Sequence, residues 1–120
     1  MCFDADFGLS LSQGIVVINL TSLSWNLSGA RHTVTLQSQI FEHVAVYQVF
    51  QPTYMSGHYA YTFSSGTVNP LATSIDWESY DSKQLDQTMF YYTPSVHSAS
   101  FQLPAYVDRV LGQVRNMMVL

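Results

Sequence analysis

Charged side chains are scarce in this 120-residue sequence. Only 10% of its residues are Asp, Glu, Lys or Arg, whereas about a quarter is typical of a soluble domain. The formal net charge is −4, and the four cations are spread along the chain as Arg31, Lys83, Arg109 and Arg115. Because phosphate binding needs clustered Lys and Arg to displace counterions, the sequence predicts no nucleic-acid partner.

Cysteine and long apolar runs are also rare. Cys2 is the single cysteine, so the chain cannot form an internal disulfide. No apolar run approaches the roughly 20 residues that span a bilayer, which predicts no membrane insertion. The first residues have no basic segment and carry two early acids, unlike a secretory signal peptide. We expect residues 1–120 to form one domain that has been cut from a longer protein.

The motifs of common enzyme sites are missing as well. The sequence has no HExxH zinc pattern, no GxSxG elbow, no P-loop and no dinucleotide-binding glycine pattern. Two acidic groups, Asp4 with Asp6 and the run between Asp76 and Asp86, could ligate Ca²⁺, but solvated acids are the better interpretation. The four histidines lie far apart in the sequence: His32, His43, His58 and His97. These absences predict a protein that is not an enzyme and has no cofactor.

Strand patterns are abundant, and Ile40 to Gly66 is the strongest of them. From Val44 to Phe50 the residues alternate between two faces, and Tyr59, Tyr61 and Phe63 alternate in the same way after an interruption at Pro52 and Gly57. Aromatic and β-branched residues in period two favour a pleated, half-buried surface. The pattern predicts two strands joined by a turn-rich loop.

Further strands are predicted on both sides of this pair. Gly14–Thr21 is a continuous β-branched run, typical of a buried central strand. Period-two or short apolar runs predict other strands, and a long acidic surface connection is expected over Ala72–Leu85. The remaining predicted strands are Phe3–Leu11, Thr21–Gly29, Thr33–Gln37, Thr88–Thr93 and Val96–Leu103.

The segment after Pro104 allows two interpretations. Val107, Val110, Leu111 and Val114 have helical spacing, whereas Gly112 and the valines weaken helix propensity. A short helix and a final strand are both open. With seven or eight short strands in total, the sequence predicts an all-β fold, an antiparallel β-sandwich or jelly roll. Its predicted core includes Val16, Ile18, Val44, Val46 and Phe50.

Tyrosine and tryptophan are the residue types in this sequence that most suggest a functional surface. Exposed aromatic residues on loops are enriched in contact surfaces, which predicts recognition loops at Tyr54, His58, Trp77, Tyr80 and Asp81. Sparse charge and many aromatic residues also leave apolar outer faces, so we expect the domain to form a two-fold homodimer. Its predicted dimer face consists of Tyr59, Tyr61, Tyr91 and Tyr92.

The sequence has little lysine, many hydroxyl side chains and a predicted all-β fold. In these features it resembles the protruding spike domains of small icosahedral RNA virus capsids, of the tombusvirus and shrimp-nodavirus type. A hydrophobic end, RNMMVL, would suit a capsid C-terminus. The resemblance implies a non-enzymatic domain on the virion surface that forms dimeric spikes and contacts a host receptor or glycan. The alternative is an extracellular or cell-surface carbohydrate-binding or adhesin module that uses the loop aromatics.

Overall fold

A computed structural model describes residues 14–71, Glu78 and residues 85–117. Three strands and four helices lie in these ranges. In chain order they are β1 (Ile15–Ser22), α1 (Leu27–Ser38), β2 (His43–Phe50), β3 (His58–Ser65), α2 (Leu85–Thr88), α3 (Pro94–Ser100) and α4 (Ala105–Met117). The prediction of an all-β sandwich or jelly roll is therefore wrong, because the described part of the chain is mixed α/β.

The strands form one sheet in the order β1-β3-β2. β3 is antiparallel to both neighbours, so β1 and β2 run parallel and α1 makes the crossover between them. The predicted pair of strands within Ile40–Gly66 is confirmed as β2 and β3. Gly14–Thr21 is also confirmed as a strand, but β1 is an edge strand of this sheet and Ile15 and Val17 are about half exposed. It is not the buried central strand that was expected.

Helix α1 occupies sequence that was predicted to be two strands, Thr21–Gly29 and Thr33–Gln37. The Asn26 side chain caps the helix by accepting a hydrogen bond from the Gly29 N–H at 3.2 Å. Ala30, Val34 and Gln37 then lie buried on one face, at the spacing of four and three residues that marks a helix. The alternation of Leu23, Trp25 and Leu27 with serines suggested a strand. That predicted strand ended at Gly29, before the first of the buried helix positions.

The strands predicted at Thr88–Thr93 and Val96–Leu103 are also wrong. Thr93 precedes α3, and its hydroxyl accepts a hydrogen bond from the Val96 N–H at 3.1 Å. Pro94 supplies the preset backbone of a first helical residue. Between α2 and α3 the chain forms neither helix nor strand. After Pro104 the helical alternative is the one that the structure shows, as α4.

The core lies between one face of the sheet and the helices α1 and α4. Its buried residues include Leu20 and Ala60 from the sheet, Val34 from α1, and Val107 and Leu111 from α4. Of the five predicted core residues, Val46 is buried and Val44 packs against the cluster. Val16 and Ile18 are half-buried, whereas Phe50 is 66% exposed at the end of β2. The core assignment of Phe50 is wrong.

Parts of the predicted organisation lie outside the described residues. These are Phe3–Leu11 and nearly all of Ala72–Leu85, together with the acids Asp4, Asp6, Asp76 and Asp81. Among the residues that are described, no helix has both the length and the apolar character needed to cross a membrane.

Candidate functional site

The face of the sheet opposite the core carries most of its aromatic side chains. Residues that oppose each other in antiparallel strands share a face, and Tyr61 of β3 lies opposite Tyr47 of β2 on one side and Asn19 of β1 on the other. The Tyr47 and Tyr61 rings stack with centroids 5.7 Å apart. Tyr59 lies two residues before Tyr61 on the same face. We call this surface the outer face.

A β-bulge at the end of β1 places Asn19 at the border of this face. The register shifts between Asn19 and Thr21, so that Leu20 is the additional residue. The Asn19 side-chain oxygen accepts a hydrogen bond from the Thr21 N–H at 2.6 Å. This carbonyl oxygen has a second lone pair, and Asn19 is exposed. The amide can therefore accept a further hydrogen bond from a ligand.

The loop between β2 and β3 adds a second aromatic side chain beside Tyr59. Its backbone is closed by the Gln51 N–H, which donates to the Gly57 carbonyl at 2.8 Å, and by the Gly57 N–H, which donates to the Tyr54 carbonyl at 3.1 Å. The Tyr54 ring then packs 5.1 Å from the Tyr59 ring, and Tyr54 remains 58% exposed. Together with the strand residues, this gives an outer-face patch that consists of Asn19, Tyr47, Tyr54, Tyr59 and Tyr61.

The phenols of this patch are uncharged hydrogen-bonding groups. Burial raises the pKa of Tyr47 above its usual value of 10.0, and the nearby Tyr61 raises it further. Tyr47 is therefore a neutral phenol at physiological pH. The patch contains no Asp, Glu, His, Lys or Arg side chain. The patch can hold a cation by its ring faces and oxygen atoms, but it contains no carboxylate.

A second group of side chains lies where α3 meets β2. The Tyr92 hydroxyl is 2.9 Å from His97 Nδ1, and the Phe101 ring packs against both His97 and Tyr47. A cavity of 330 Å³ between these residues and the sheet is lined by Tyr47, Phe63, Tyr91, Tyr92, His97 and Phe101, among others. Burial lowers the pKa of His97 below its usual value of 6.5, so that this imidazole is neutral at pH 7.

Two side-chain hydrogen bonds of Gln48 join β2 to the first residue of β3 and to the segment after α3. The Gln48 Nε2 atom donates to the Gln102 carbonyl, and its Oε1 atom accepts from His58 Nε2 at 2.7 Å. Because Oε1 can only accept, His58 Nε2 must carry a proton. A cavity of 410 Å³ opens here, and Phe50, Ser56 and Tyr91 also line it.

The structure separates the residues that the sequence grouped by function. Of the residues in the predicted recognition loops, Tyr54 is exposed, and His58 is half-buried and hydrogen-bonded to Gln48. Trp77, Tyr80 and Asp81 lie outside the described residues. Of the predicted dimer face, Tyr59 and Tyr61 lie on the sheet, but Tyr91 and Tyr92 lie just before α3. Tyr91 and Tyr92 line the 330 Å³ cavity together.

The described residues offer no site for a bound metal ion, since no group of three His, Cys, Asp or Glu side chains in these ranges could hold one. An aromatic wall with amide and phenol oxygens suits a molecule that carries ammonium groups, since ring faces attract cations.

Comparison with known proteins identifies relatives of this chain. Over 75 residues, 62% of the chain, it is 37% identical to the polyamine aminopropyltransferase of Thermotoga petrophila, and this match covers 24% of that enzyme. Over 118 residues, 96% of the chain, it is 36% identical to the polyamine aminopropyltransferase of Alkaliphilus metalliredigens, covering 38% of it. The chain is homologous to part of a polyamine aminopropyltransferase.

A solved structure supports the same homology. The crystal structure of a spermidine synthase in complex with the transition-state analogue AdoDATO matches 92% of this chain and 39% of that protein, with a TM-score of 0.75 and 25% identity. No protein-family model matches the chain. The chain spans only between about a quarter and two fifths of the length of these relatives.

This homology overturns the functional interpretation of the sequence. The resemblance to a capsid protruding domain is wrong, and the host receptor, the glycan, the dimeric spike and the virion-surface or cell-surface location are wrong with it. The prediction of a non-enzymatic protein is also contradicted, because the relatives are transferases. Low charge and many hydroxyl groups are compositional features that unrelated proteins share, and no motif linked them to a capsid.

Sequence reasoning missed Asn19 and Tyr47 as members of a site. Asn19 lies in Gly14–Thr21, which was expected to be a buried central strand, and Tyr47 lies in the strand that was predicted from Val44 to Phe50. A signal for Tyr47 was present, since it alternates with Val46 and Gln48 in the strongest predicted strand. The pairing of Asn19 with Tyr61 had no signal, because it depends on the β1–β3 register and on the bulge.

Proposed function

We propose that this chain is part of an aminopropyltransferase and that its outer-face patch binds the polyamine or amine acceptor. The observation that carries the proposal is the patch itself, in a chain whose relatives are polyamine aminopropyltransferases. Amines of this class are cations at neutral pH. The Tyr54 and Tyr59 rings pack against each other with centroids 5.1 Å apart and planes tilted by 40°, and one ammonium group beside this pair could contact both rings.

The hydrogen-bonding groups of the patch suit the same ligand. An ammonium or amine N–H donates, and the patch offers acceptors in the second lone pair of the Asn19 oxygen and in the phenol oxygens of Tyr47 and Tyr61. These neutral acceptors would orient the amine without binding it so tightly that the attacking nitrogen stays protonated. For transfer to occur, that nitrogen must lose its proton before its lone pair forms the new bond to the aminopropyl carbon, while the bond from this carbon to the sulfonium sulfur of the donor breaks and the thioether leaves.

The described residues account for acceptor binding and for part of its orientation. The patch contains no carboxylate or other base to take the proton, and we assign that step to the portion of the enzyme that this chain does not span. The same portion would hold the aminopropyl donor.

A chimeric enzyme tests the proposal. The matching 118 residues of the Alkaliphilus metalliredigens aminopropyltransferase are replaced by this chain, and aminopropyl transfer from decarboxylated S-adenosylmethionine to putrescine is measured. We expect activity, and we expect Tyr59→Ala in the chimera to raise the KM for putrescine by about fivefold or more, since a cation–π contact contributes about 1–2 kcal/mol when desolvated. Tyr106→Ala is the matched control, because Tyr106 is an exposed tyrosine on α4. A chimera that melts like the parent enzyme but transfers nothing contradicts the proposal.

A further inference from the structure

A single side-chain hydrogen bond connects the end of β1 to the loop that carries Tyr54. The Ser22 hydroxyl lies 2.7 Å from the Ser56 hydroxyl, across 34 residues of sequence. Ser22 is the last residue of β1 and is 7% exposed. Ser56 Oγ also accepts a hydrogen bond from the His58 N–H at 3.4 Å. Among the described residues, the other recorded hydrogen bonds of the loop join it to itself or to β2 and β3.

Backbone strain is concentrated at the two ends of this bond. Among the described residues, Thr21 and Ser56 are the non-glycine residues with positive φ, at 64° and 78°. One of them precedes Ser22 and the other is its partner. Such conformations cost about 1–3 kcal/mol each and persist where the surroundings enforce them, most often at functional sites. Ser56 is the third residue of the turn that the Gly57 N–H closes on the Tyr54 carbonyl, and Thr21 lies at the bulge of β1, so the Ser22–Ser56 bond joins the two elements that hold these positive φ values.

The bulge explains why Ser22 can reach the loop. Side chains alternate along a strand, so that one inserted residue reverses the faces of all residues after it. With Leu20 inserted, the register moves by one and Ser22 pairs with Tyr59, whereas the register of Ile15–Asn19 would have paired it with His58. The same bulge is held by the Thr21 N–H on the Asn19 amide. Asn19, Ser22, Ser56 and Tyr54 are thus linked in one structural unit.

We propose that Ser22 is a positioning residue for the amine acceptor. Its bond to Ser56 fixes the loop so that Tyr54 and Asn19, which lie on different elements, face the same ligand. The inference rests on the proposed function, since it assigns the purpose of the bond to acceptor binding. Ser22 itself is buried and does not contact the ligand.

The test uses two measurements on the purified protein, for the wild type and for Ser22→Ala, Ser22→Thr, Ser56→Ala and Ser24→Ala. Ser24 is an exposed serine two residues further along and is the matched control. Amide hydrogen exchange at Tyr54 and Gly57 reports how firmly the loop is held. Putrescine titration, followed by the NMR signals of the Tyr54 and Tyr59 rings, reports acceptor binding.

We expect Ser22→Ala and Ser56→Ala to accelerate exchange and to weaken putrescine binding by about two- to tenfold each, the equivalent of one neutral hydrogen bond. Ser22→Thr keeps the hydroxyl and should restore both values, and Ser24→Ala should change neither. If Ser22→Ala does not fold, Ser56→Ala removes the same bond from the exposed loop.

Three results would count against these proposals in different ways. Exchange in Ser22→Ala equal to that in Ser24→Ala overturns the proposal that Ser22 holds the loop. Faster exchange with unchanged putrescine binding shows a purely structural bond and also overturns the positioning role. A wild-type protein whose ring signals do not respond to putrescine overturns the proposed function of the patch, while the exchange rates still decide whether Ser22 holds the loop.

Discussion

The backbone N–H of Phe50 donates a hydrogen bond of 3.2 Å to the phenol oxygen of Tyr91. The next N–H along the chain, that of Gln51 just after β2, points to the Gly57 carbonyl across the hairpin. Because successive N–H groups of a strand alternate in direction, the Phe50 N–H points away from β3. Among the described residues no strand pairs with this side of β2, and Tyr91 satisfies a donor there that an unpaired edge would offer to other chains.

Replacing Tyr91 by Phe should destabilise the protein modestly. The substitution removes the acceptor for the Phe50 N–H and leaves the ring in place. Since both residues are exposed, water can replace the phenol, and we expect a loss of about 0.5–1 kcal/mol in the free energy of unfolding. Urea denaturation measures it, with Tyr106→Phe as the control, because Tyr106 is a comparably exposed tyrosine on α4. Equal effects of the two variants would show that the edge bond contributes nothing.

The hydrophobic core and the hairpin tip should respond very differently to truncation. Leu23 is 1% exposed, whereas Phe50 is 66% exposed. Leu23→Ala leaves a cavity and should cost about 2–5 kcal/mol. Phe50→Ala removes a larger side chain from a solvent-exposed position and should lower the free energy of unfolding by less than about 1 kcal/mol. Chemical denaturation of both variants checks the order. A larger loss of stability for Phe50→Ala than for Leu23→Ala would show that the Phe50 ring is part of the core.

The contrast between these two residues shows where sequence patterns were sufficient. Period-two alternation identified β2 and β3 because the sheet has one covered face, and that periodicity is local. Phe50 continues the alternation beyond the point where α1 and α4 cover the sheet. The pattern therefore predicted the strand correctly and the burial of its last residue wrongly. Burial depends on which element lies above, and a single strand carries no such information.

The helices could have been predicted from capping residues. Asn26 with buried positions at Ala30, Val34 and Gln37, and Thr93 followed by Pro94, are helix-start signals. In both segments short alternations of apolar residues with serine or histidine outweighed them. The family could not be inferred in this way, because the patch joins β1, β2, β3 and a loop, and its residue types are common in core packing.

Protein stability should decrease below neutral pH through His97. Burial holds its pKa below the usual value of 6.5 in the folded state, so the unfolded chain takes up a proton at higher pH than the folded one. Stability is then constant above about pH 6.5. It falls as the pH drops from there toward the lower pKa of the folded protein, and it levels off below that value.

Comparing the wild type with His97→Gln isolates this contribution. Glutamine keeps a polar side chain near Tyr92 but does not titrate. We expect the free energy of unfolding of the wild type to fall more than that of the variant between pH 7.5 and pH 5. An NMR titration of the His97 ring gives the pKa directly. Parallel curves for the two proteins would contradict the assignment.

Thr21→Gly should stabilise the protein, which is unusual for a β-branched residue in a strand. Thr21 has φ 64°, a left-handed conformation that costs an L-residue roughly 1–2 kcal/mol and a β-branched residue more than most. Glycine adopts this conformation freely. Its larger entropy in the unfolded chain offsets part of the gain, so we expect a net increase of about 0.5–1 kcal/mol in the free energy of unfolding. Thr21→Asn should lie between, because Asn tolerates the conformation better than Thr.

The control for this prediction is Thr67→Gly, another exposed threonine, which does not have a positive φ. There glycine only adds unfolded-state entropy and should destabilise the protein by up to about 1 kcal/mol. Opposite signs for the two threonine-to-glycine variants in urea denaturation would confirm that the bulge after Asn19 stores strain. If Thr21→Gly destabilises the protein as much as Thr67→Gly does, the Thr21 backbone stores no strain next to the Ser22–Ser56 bond. The acceptor-binding assays of Ser22→Ala do not depend on this result, because they measure the bond and not the backbone that precedes it.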